Sequence, residues 1–234
     1  MFWRRPLPIE GRGPVISFTF DDFPRSALHT GGVLLNRYGA AGTYYVALGL
    51  MGKEEPSGTM FVQDDLKVVF EHGHELGCHT YGHCDAGKTR PDAFETSVLE
   101  NQRALGALCP GSEFKTLSYP ISFPRVGTKR RAGRHYVCCR GGGQSFNAGK
   151  ADLNCLDSFF LEQSRENPQR VWDVIEENRR ARGWLILSTH DISTNPSPYG
   201  CTPGFFEEVI QHAVESGARI LTVLGAYQFL SAAS

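Results

Sequence analysis

The chain has 234 residues, 41% of them apolar and 21% charged, with a formal net charge of -1. A chain of this length buries roughly 70–75% of its unfolded surface, so one substantial core forms without metal or disulfide staples, and disordered or fibrous architectures are excluded. With Lys+Arg at 24 against Asp+Glu at 25, no global positive field exists to hold a nucleic-acid backbone, and no run approaches the ~20 consecutive apolar residues of a membrane span.

The first residues, Met1 to Pro8, carry charge but no following apolar stretch, so they do not read as a signal peptide. Val15–Phe20 reads as a buried strand, rich in β-branched and aromatic residues, that runs directly into Asp21 and Asp22. Pro24 breaks it, and a helix pattern continues to Tyr38. A second strand covers 42–47, and a helix covers 64–72 with Asp64 and Asp65 at its start, where the helix dipole favours acids. A turn at Gly73 leads into a short strand ending at His79. A helix is predicted over 92–108, a strand over 115–119 that stops at Pro120, and a further strand over 136–139. Then follow a helix over 172–182, a clean apolar strand Trp184–Thr189, a helix over 205–216, a closing strand over 220–224 and a short helix over 224–230. This alternation predicts an α/β fold in one domain over 1–234, with its core at about 15–229.

The seven cysteines (78, 84, 109, 138, 139, 155 and 201) are odd in number and irregularly spaced. Reduced thiols in a cytoplasmic protein are the expectation. Ionisable residues gather just past predicted strands: Asp21 and Asp22 after the first, His79 and His83 after the third, His190 and Asp191 after Trp184–Thr189. In parallel α/β architectures this is the rim on which active sites are built. His79 and His83 stand four apart, a spacing that on a helical turn puts two imidazoles on one face, within reach of one divalent ion. Alone, such a pair is more often two ordinary surface or core histidines. An Asp from another strand end would complete a three-residue site with positions open for water and substrate.

Thr19-Phe20-Asp21-Asp22, the run from Gly73 to Thr80 (GHELGCHT), His79-Thr80-x-x-His83 and the strand end Thr189-His190-Asp191 together resemble the NodB-homology polysaccharide deacetylases, carbohydrate esterase family 4. The resemblance extends over nearly the whole chain. It implies a single-domain distorted (β/α) barrel, often of seven strands. It also implies a metal-dependent amide hydrolase that removes N-acetyl groups from a carbohydrate. Carried over residue by residue, it makes Asp22, His79 and His83 the ligands of a divalent ion, Zn²⁺ first, with Co²⁺, Mn²⁺ or Ni²⁺ as alternatives. It makes Asp21 the general base toward the attacking water and His190 the general acid toward the departing amine. An imidazole titrating near neutrality suits that second role.

The third motif of the family departs here. Where an Arg normally braces the base, the chain has Ser118-Tyr119-Pro120-Ile121. The Ile121 N–H still matches an oxyanion donor, and the bracing cation is expected from Arg140, beyond the strand at 136–139, with Arg125 as the alternative. Asp152 and Asp157 are weak matches to the fourth motif, with capping the commoner role for such residues. Ser188 stands where the family often has Leu, with Leu187 beside it as the candidate for the acetyl pocket. Tyr199, in a Pro-rich loop after His190, is a candidate sugar-stacking face, and loop packing explains it equally well. The basic run 129–134 reads most simply as a solvated helix face, and Cys78 as a small buried packing residue. The substrate is thus expected to be an N-acetylated sugar or another acylated amide. The alternatives are a non-carbohydrate C–N hydrolase on the same fold or a glycan-binding module that has lost turnover.

Overall fold

A computed structural model describes residues 3–232. Residues 1–2 and 233–234, which the one-domain expectation included, lie outside them. The strands in chain order are β1 (Pro6–Pro8), β2 (Val15–Phe20), β3 (Gly42–Val46), β4 (Glu54–Glu55), β5 (Gly58–Thr59), β6 (Glu75–Cys78), β7 (Thr116–Ser118), β8 (Cys138–Arg140), β9 (Lys150–Asp152), β10 (Phe159–Phe160), β11 (Trp184–Thr189) and β12 (Arg219–Ile220). The α-helices are α1 (Val33–Arg37), α2 (Gln63–Glu71), α3 (Pro91–Leu108), α4 (Val126–Ala132), α5 (Gln169–Ala181), α6 (Pro203–Glu215) and α7 (Val223–Ser231).

Seven strands run parallel in the order β10-β11-β2-β3-β6-β7-β8, and the short β12 lies parallel beside the start of β2. The segment 153–160 joins the two edges. Leu156 bridges to Arg140 at the end of β8, and three residues later Phe159 and Phe160 pair with Leu187 and Ser188 of β11. The sheet therefore curls into the distorted barrel expected, drawn together by one strap.

Side-chain alternation sorts the residues of each strand. Ile16, Phe18 and Phe20 of β2 and Leu185 and Leu187 of β11 belong to the large apolar cluster packed under the helices. Val15, Trp184 and Ile186 point the other way and form a second cluster with Leu7, Ala151, Val223 and Leu230. That cluster closes the lower end of the barrel beneath the β1–β9 pair and α7. Some polar groups inside are paired: Trp184 Nε1 donates to Ser17 Oγ at 3.0 Å, and the Glu75 carboxylate accepts from Thr43 Oγ1 at 2.9 Å and Leu224 N at 2.8 Å.

Three local expectations change. The helix after Pro24 opens as a π-helical turn, Ala27–Gly32, before α1. An added Cβ at Gly32 would lie 2.6 Å from the Tyr44 hydroxyl, so glycine lets this turn press against β3. The closing strand is only Arg219–Ile220, because the Thr222 hydroxyl accepts from Gly225 N and starts α7 at Val223. The basic run is ion-paired rather than free in solvent: Lys129 meets Asp152, Arg131 meets Glu95, and Arg130 lies 4.7 Å over the Trp3 ring. All seven cysteines are free. No helix among the described residues is long and apolar enough to cross a membrane.

Candidate active site

The loops at the C-terminal ends of β2, β6, β7, β8 and β11 enclose a cleft of about 890 Å³. Its floor carries Asp21, Asp22, His79, His83, Arg140 and His190. Asp21 N–H donates to Thr189 O at 2.9 Å, which ties the end of β2 to the end of β11. The chain then turns through left-handed backbone at Asp22 (φ 62°) and Phe23 (φ 62°). Such angles are uncommon for residues other than glycine and cluster at sites where geometry matters more than comfort.

The same device replaces the helical turn predicted for His79 to His83. This segment is a loop, with Thr80 at φ 59° and His83 at φ 52°. The Thr80 hydroxyl accepts from Cys84 N at 2.9 Å, and Ser97 Oγ accepts from Tyr81 N at 3.0 Å. The two imidazoles still meet, with ring centroids 5.0 Å apart. Asp22 Oδ1 stands 3.1 Å from His83 Nε2 and 3.6 Å from His79 Nε2. That oxygen is buried and makes no hydrogen bond among the described residues. His79 is 2% exposed, and its Nδ1 lies 2.8 Å from Ser118 O. The carbonyl can only accept, so Nδ1 carries the proton and the Nε2 lone pair faces Asp22. Burial pushes His79 down to about 4, which keeps the ring neutral. Two imidazole nitrogens and an orphaned carboxylate oxygen, all within 4.8 Å of one another, fit the donor set of a divalent transition ion.

Asp21 faces a different partner. Arg140, only 2% exposed, reaches from β8 and donates to Asp21 Oδ1. It also donates to Ser118 Oγ at 2.5 Å, Ser158 Oγ at 3.1 Å and Gly141 O at 3.0 Å. Tyr45 lies under the guanidinium, 5.2 Å from ring centroid to Cζ. Burial opposes ionisation of Asp21, but the Arg140 charge and hydrogen bond, together with the nearby His79 and His190, outweigh it and hold the carboxyl well below the usual carboxylate range. His190 Nε2 lies 4.0 Å from Asp22 Oδ2. Its ring is 5.5 Å from that of Tyr199, and its backbone N–H donates to Tyr199 O at 3.2 Å.

The walls include Tyr119, Ile121, Phe123, Phe160 and Tyr199. Ile121 has φ 65°, is 69% exposed, and its N–H donates to no acceptor among the described residues. Pro120 holds this turn by accepting from Ala86 N at 3.2 Å and Ser122 N at 2.7 Å. Other expected residues do not reach the cleft. Leu187 points away from it into the core beneath the helices, because strand parity turns Ser188 inward instead, 3.5 Å from Asp21 Oδ2. Arg125 donates to Gly87 O at the surface. Asp152 caps Arg5 N and Asn154 N at β9. Two features were not legible beforehand. Glu162 lines the cleft with its Oε2 buried and unpartnered. Arg165 donates to Ser197 O and Gly200 O, clamping the loop that carries Tyr199. Neither stands in any motif.

Residues 9–135 match the profile of the family described as Polysaccharide deacetylase. No curated protein sequence matches the chain. Among solved structures, it is similar to a family 4 acetyl xylan esterase from Clostridium thermocellum in complex with a cobalt ion, at TM-score 0.62 and 20% identity over 93% of this chain and 91% of that one. It is also similar to a peptidoglycan deacetylase from Bacillus subtilis, at TM-score 0.63 and 16% identity over 94% and 93% of the two chains. A third likeness, at TM-score 0.59 and 11% identity over 91% of this chain and 65% of that one, is to a family 4 pseudoenzyme from Bacillus anthracis. At these identities the likenesses show the fold.

Proposed function

The chain belongs to the polysaccharide deacetylase family, and we propose that it is a metal-dependent hydrolase removing acetyl groups from the amide nitrogen of a carbohydrate. The observation that carries this reading is a division of charge on one cleft floor. Asp22 turns its free oxygen toward two imidazoles, while the neighbouring Asp21 is held by a buried guanidinium. Two adjacent carboxylates with such different surroundings suit two different tasks.

In this reading Asp22, His79 and His83 hold a divalent ion, with zinc first among several candidates. Such an ion, when bound, acidifies a water and polarises a carbonyl. Asp21, kept ionised by Arg140, accepts the proton of the attacking water. The Ile121 N–H, without an acceptor among the described residues, offers a hydrogen bond to the carbonyl oxygen as it gains charge. His190, whose Nε2 lies 4.0 Å from Asp22 Oδ2, donates a proton to the amine, without which the nitrogen leaves poorly. The glycan-binding alternative drew its motive from the missing third-motif arginine. The contact of Arg140 with Asp21 supplies a cation at the base from another strand and favours hydrolysis.

The test is acetate release from N-acetylglucosamine and chitooligosaccharides by metal-stripped protein, with and without added Zn²⁺, Co²⁺, Mn²⁺ or Ni²⁺. Metal-restored release is expected. Stoichiometric metal uptake with no acetate from any saccharide would refute the carbohydrate reading and direct the search to other acylated amides.

A further inference from the structure

Glu162 has no part in the chemistry above, yet it stands in the cleft. It sits on a single 3-10 turn, Leu161–Ser164, directly after β10. Its neighbour Phe160 and the Tyr199 ring line the same space. Its Oε2 is buried and has no hydrogen-bond partner among the described residues. A buried carboxyl oxygen left unpaired costs about 1–3 kcal/mol, so it is a group waiting for a partner that enters the cleft.

The charged and titratable groups acting on it come from four places. Asp21 at the end of β2 repels its negative form, and Arg140 from β8 and Arg165 on its own segment attract it, while Glu162 in turn opposes ionisation of Cys201 in the loop before α6. Neither arginine donates a hydrogen bond to it among the described residues. Arg140 is committed to Asp21, Ser118 and Ser158, and Arg165 to the carbonyls of Ser197, Pro198 and Gly200. Burial therefore dominates and pushes Glu162 up to about 8. A neutral carboxyl both donates and accepts, as a hydroxyl does, whereas a carboxylate only accepts.

We propose that Glu162 is a substrate-binding residue whose carboxyl exchanges hydrogen bonds with a hydroxyl of an uncharged sugar unit held in this cleft. The assignment rests on the carbohydrate reading of the site. It makes Glu162 a determinant of saccharide affinity, separate from the groups that move protons or hold the ion.

The experiment measures binding and turnover separately. Chitooligosaccharide affinity is read by calorimetry on metal-stripped wild type, Glu162→Gln and Glu162→Ala, and acetate kinetics are read on the zinc-loaded proteins. Gln retains one donor and one acceptor without charge. Its affinity and KM are expected within about twofold of wild type, whereas Glu162→Ala weakens both about tenfold and leaves kcat within about threefold. An Ala variant that binds like wild type overturns the assignment. So does a Gln variant as weak as Ala, because a carboxylate would then be required. Thermal melts of both variants separate lost folding from lost binding, since Gln rescue does not follow from a packing defect alone. If wild type neither binds nor deacetylates any saccharide, the carbohydrate reading falls first and this assignment with it. If wild type does both and the variants do not differ, only this assignment falls.

Discussion

Replacing Arg140 by Met isolates the electrostatic design of the site. The substitution removes the guanidinium that donates to Asp21, Ser118, Ser158 and Gly141 but leaves a side chain of similar length. Asp21 then becomes a buried carboxylate with no cation, and breaking a buried pair from one side costs about 3–5 kcal/mol. For a chain of this size each kcal/mol moves the melting temperature by about 2–4 °C, so a fall of about 6–20 °C is expected. The sign with pH follows from the direction of the shift. The folded Asp21 carboxyl lies below its ordinary value of 3.8, so pairing stabilises the fold above that value and is lost only as pH falls through the depressed one. In Arg140→Met the carboxyl rises, and the variant should regain part of its lost stability on mild acidification. Adding Asp21→Asn to Arg140→Met removes the orphaned charge and should recover about 2 kcal/mol or more of the loss in a double-mutant cycle. Melting curves and urea titrations of the four proteins measure this. A coupling energy under about 0.5 kcal/mol would show that Arg140 does not hold Asp21, and the reasoning would be wrong.

Asp21→Asn alone should lower turnover by about 10²–10⁴-fold while metal stoichiometry, measured by elemental analysis, stays at the wild-type value. His79→Ala should lose stoichiometric metal; full retention would remove it from the ligand set. Gly77→Ala tests the packing beneath the brace: the added carbon would lie 2.4 Å from Tyr45 Cε1, so a loss of about 1–3 kcal/mol in chemical unfolding is expected. Glu162, raised from 4.5 to about 8, binds its proton more tightly folded than unfolded, so its contribution to stability declines as pH rises from about 4.5 to about 8. Melting temperatures of metal-stripped wild type should therefore fall relative to Glu162→Gln across that window, and parallel curves would count against the shift.

Strands β2 and β11 were legible because runs of β-branched and aromatic residues have no other stable use, and the helices because their apolar period and caps are local properties. Apart from the local β4–β5 hairpin, the strands that escaped were made by distant pairing. β1 and β9 contain two prolines, a lysine and an aspartate between them, and exist as strands only because they meet. β10 is two residues long and is strand only against β11. In the site, Asp22, His79 and His83 stood out as residue types at strand ends, but the loop that joins the histidines depends on left-handed Thr80 and His83 rather than on helical spacing. Leu187 was misplaced by one step of strand parity, which a short apolar strand does not declare in its own composition. Glu162 carried no signal, because an isolated glutamate in a connecting segment looks like any solvated one.

The strap at 153–160 divides the labour of the molecule. All three residues of the cation cluster lie within the stretch that matches the family profile, residues 9–135, whereas Arg140 and His190 come from the remainder of the chain. The two stretches are stitched at a seam where Leu156 meets Arg140 and Phe159 meets Leu187. The three side chains of the cluster all come from the first stretch, while the guanidinium that meets Asp21 arrives across the seam. The glycine run 141–143 follows directly on Arg140 at that seam, so the geometry of the Asp21 pair depends on how the two stretches are held together there.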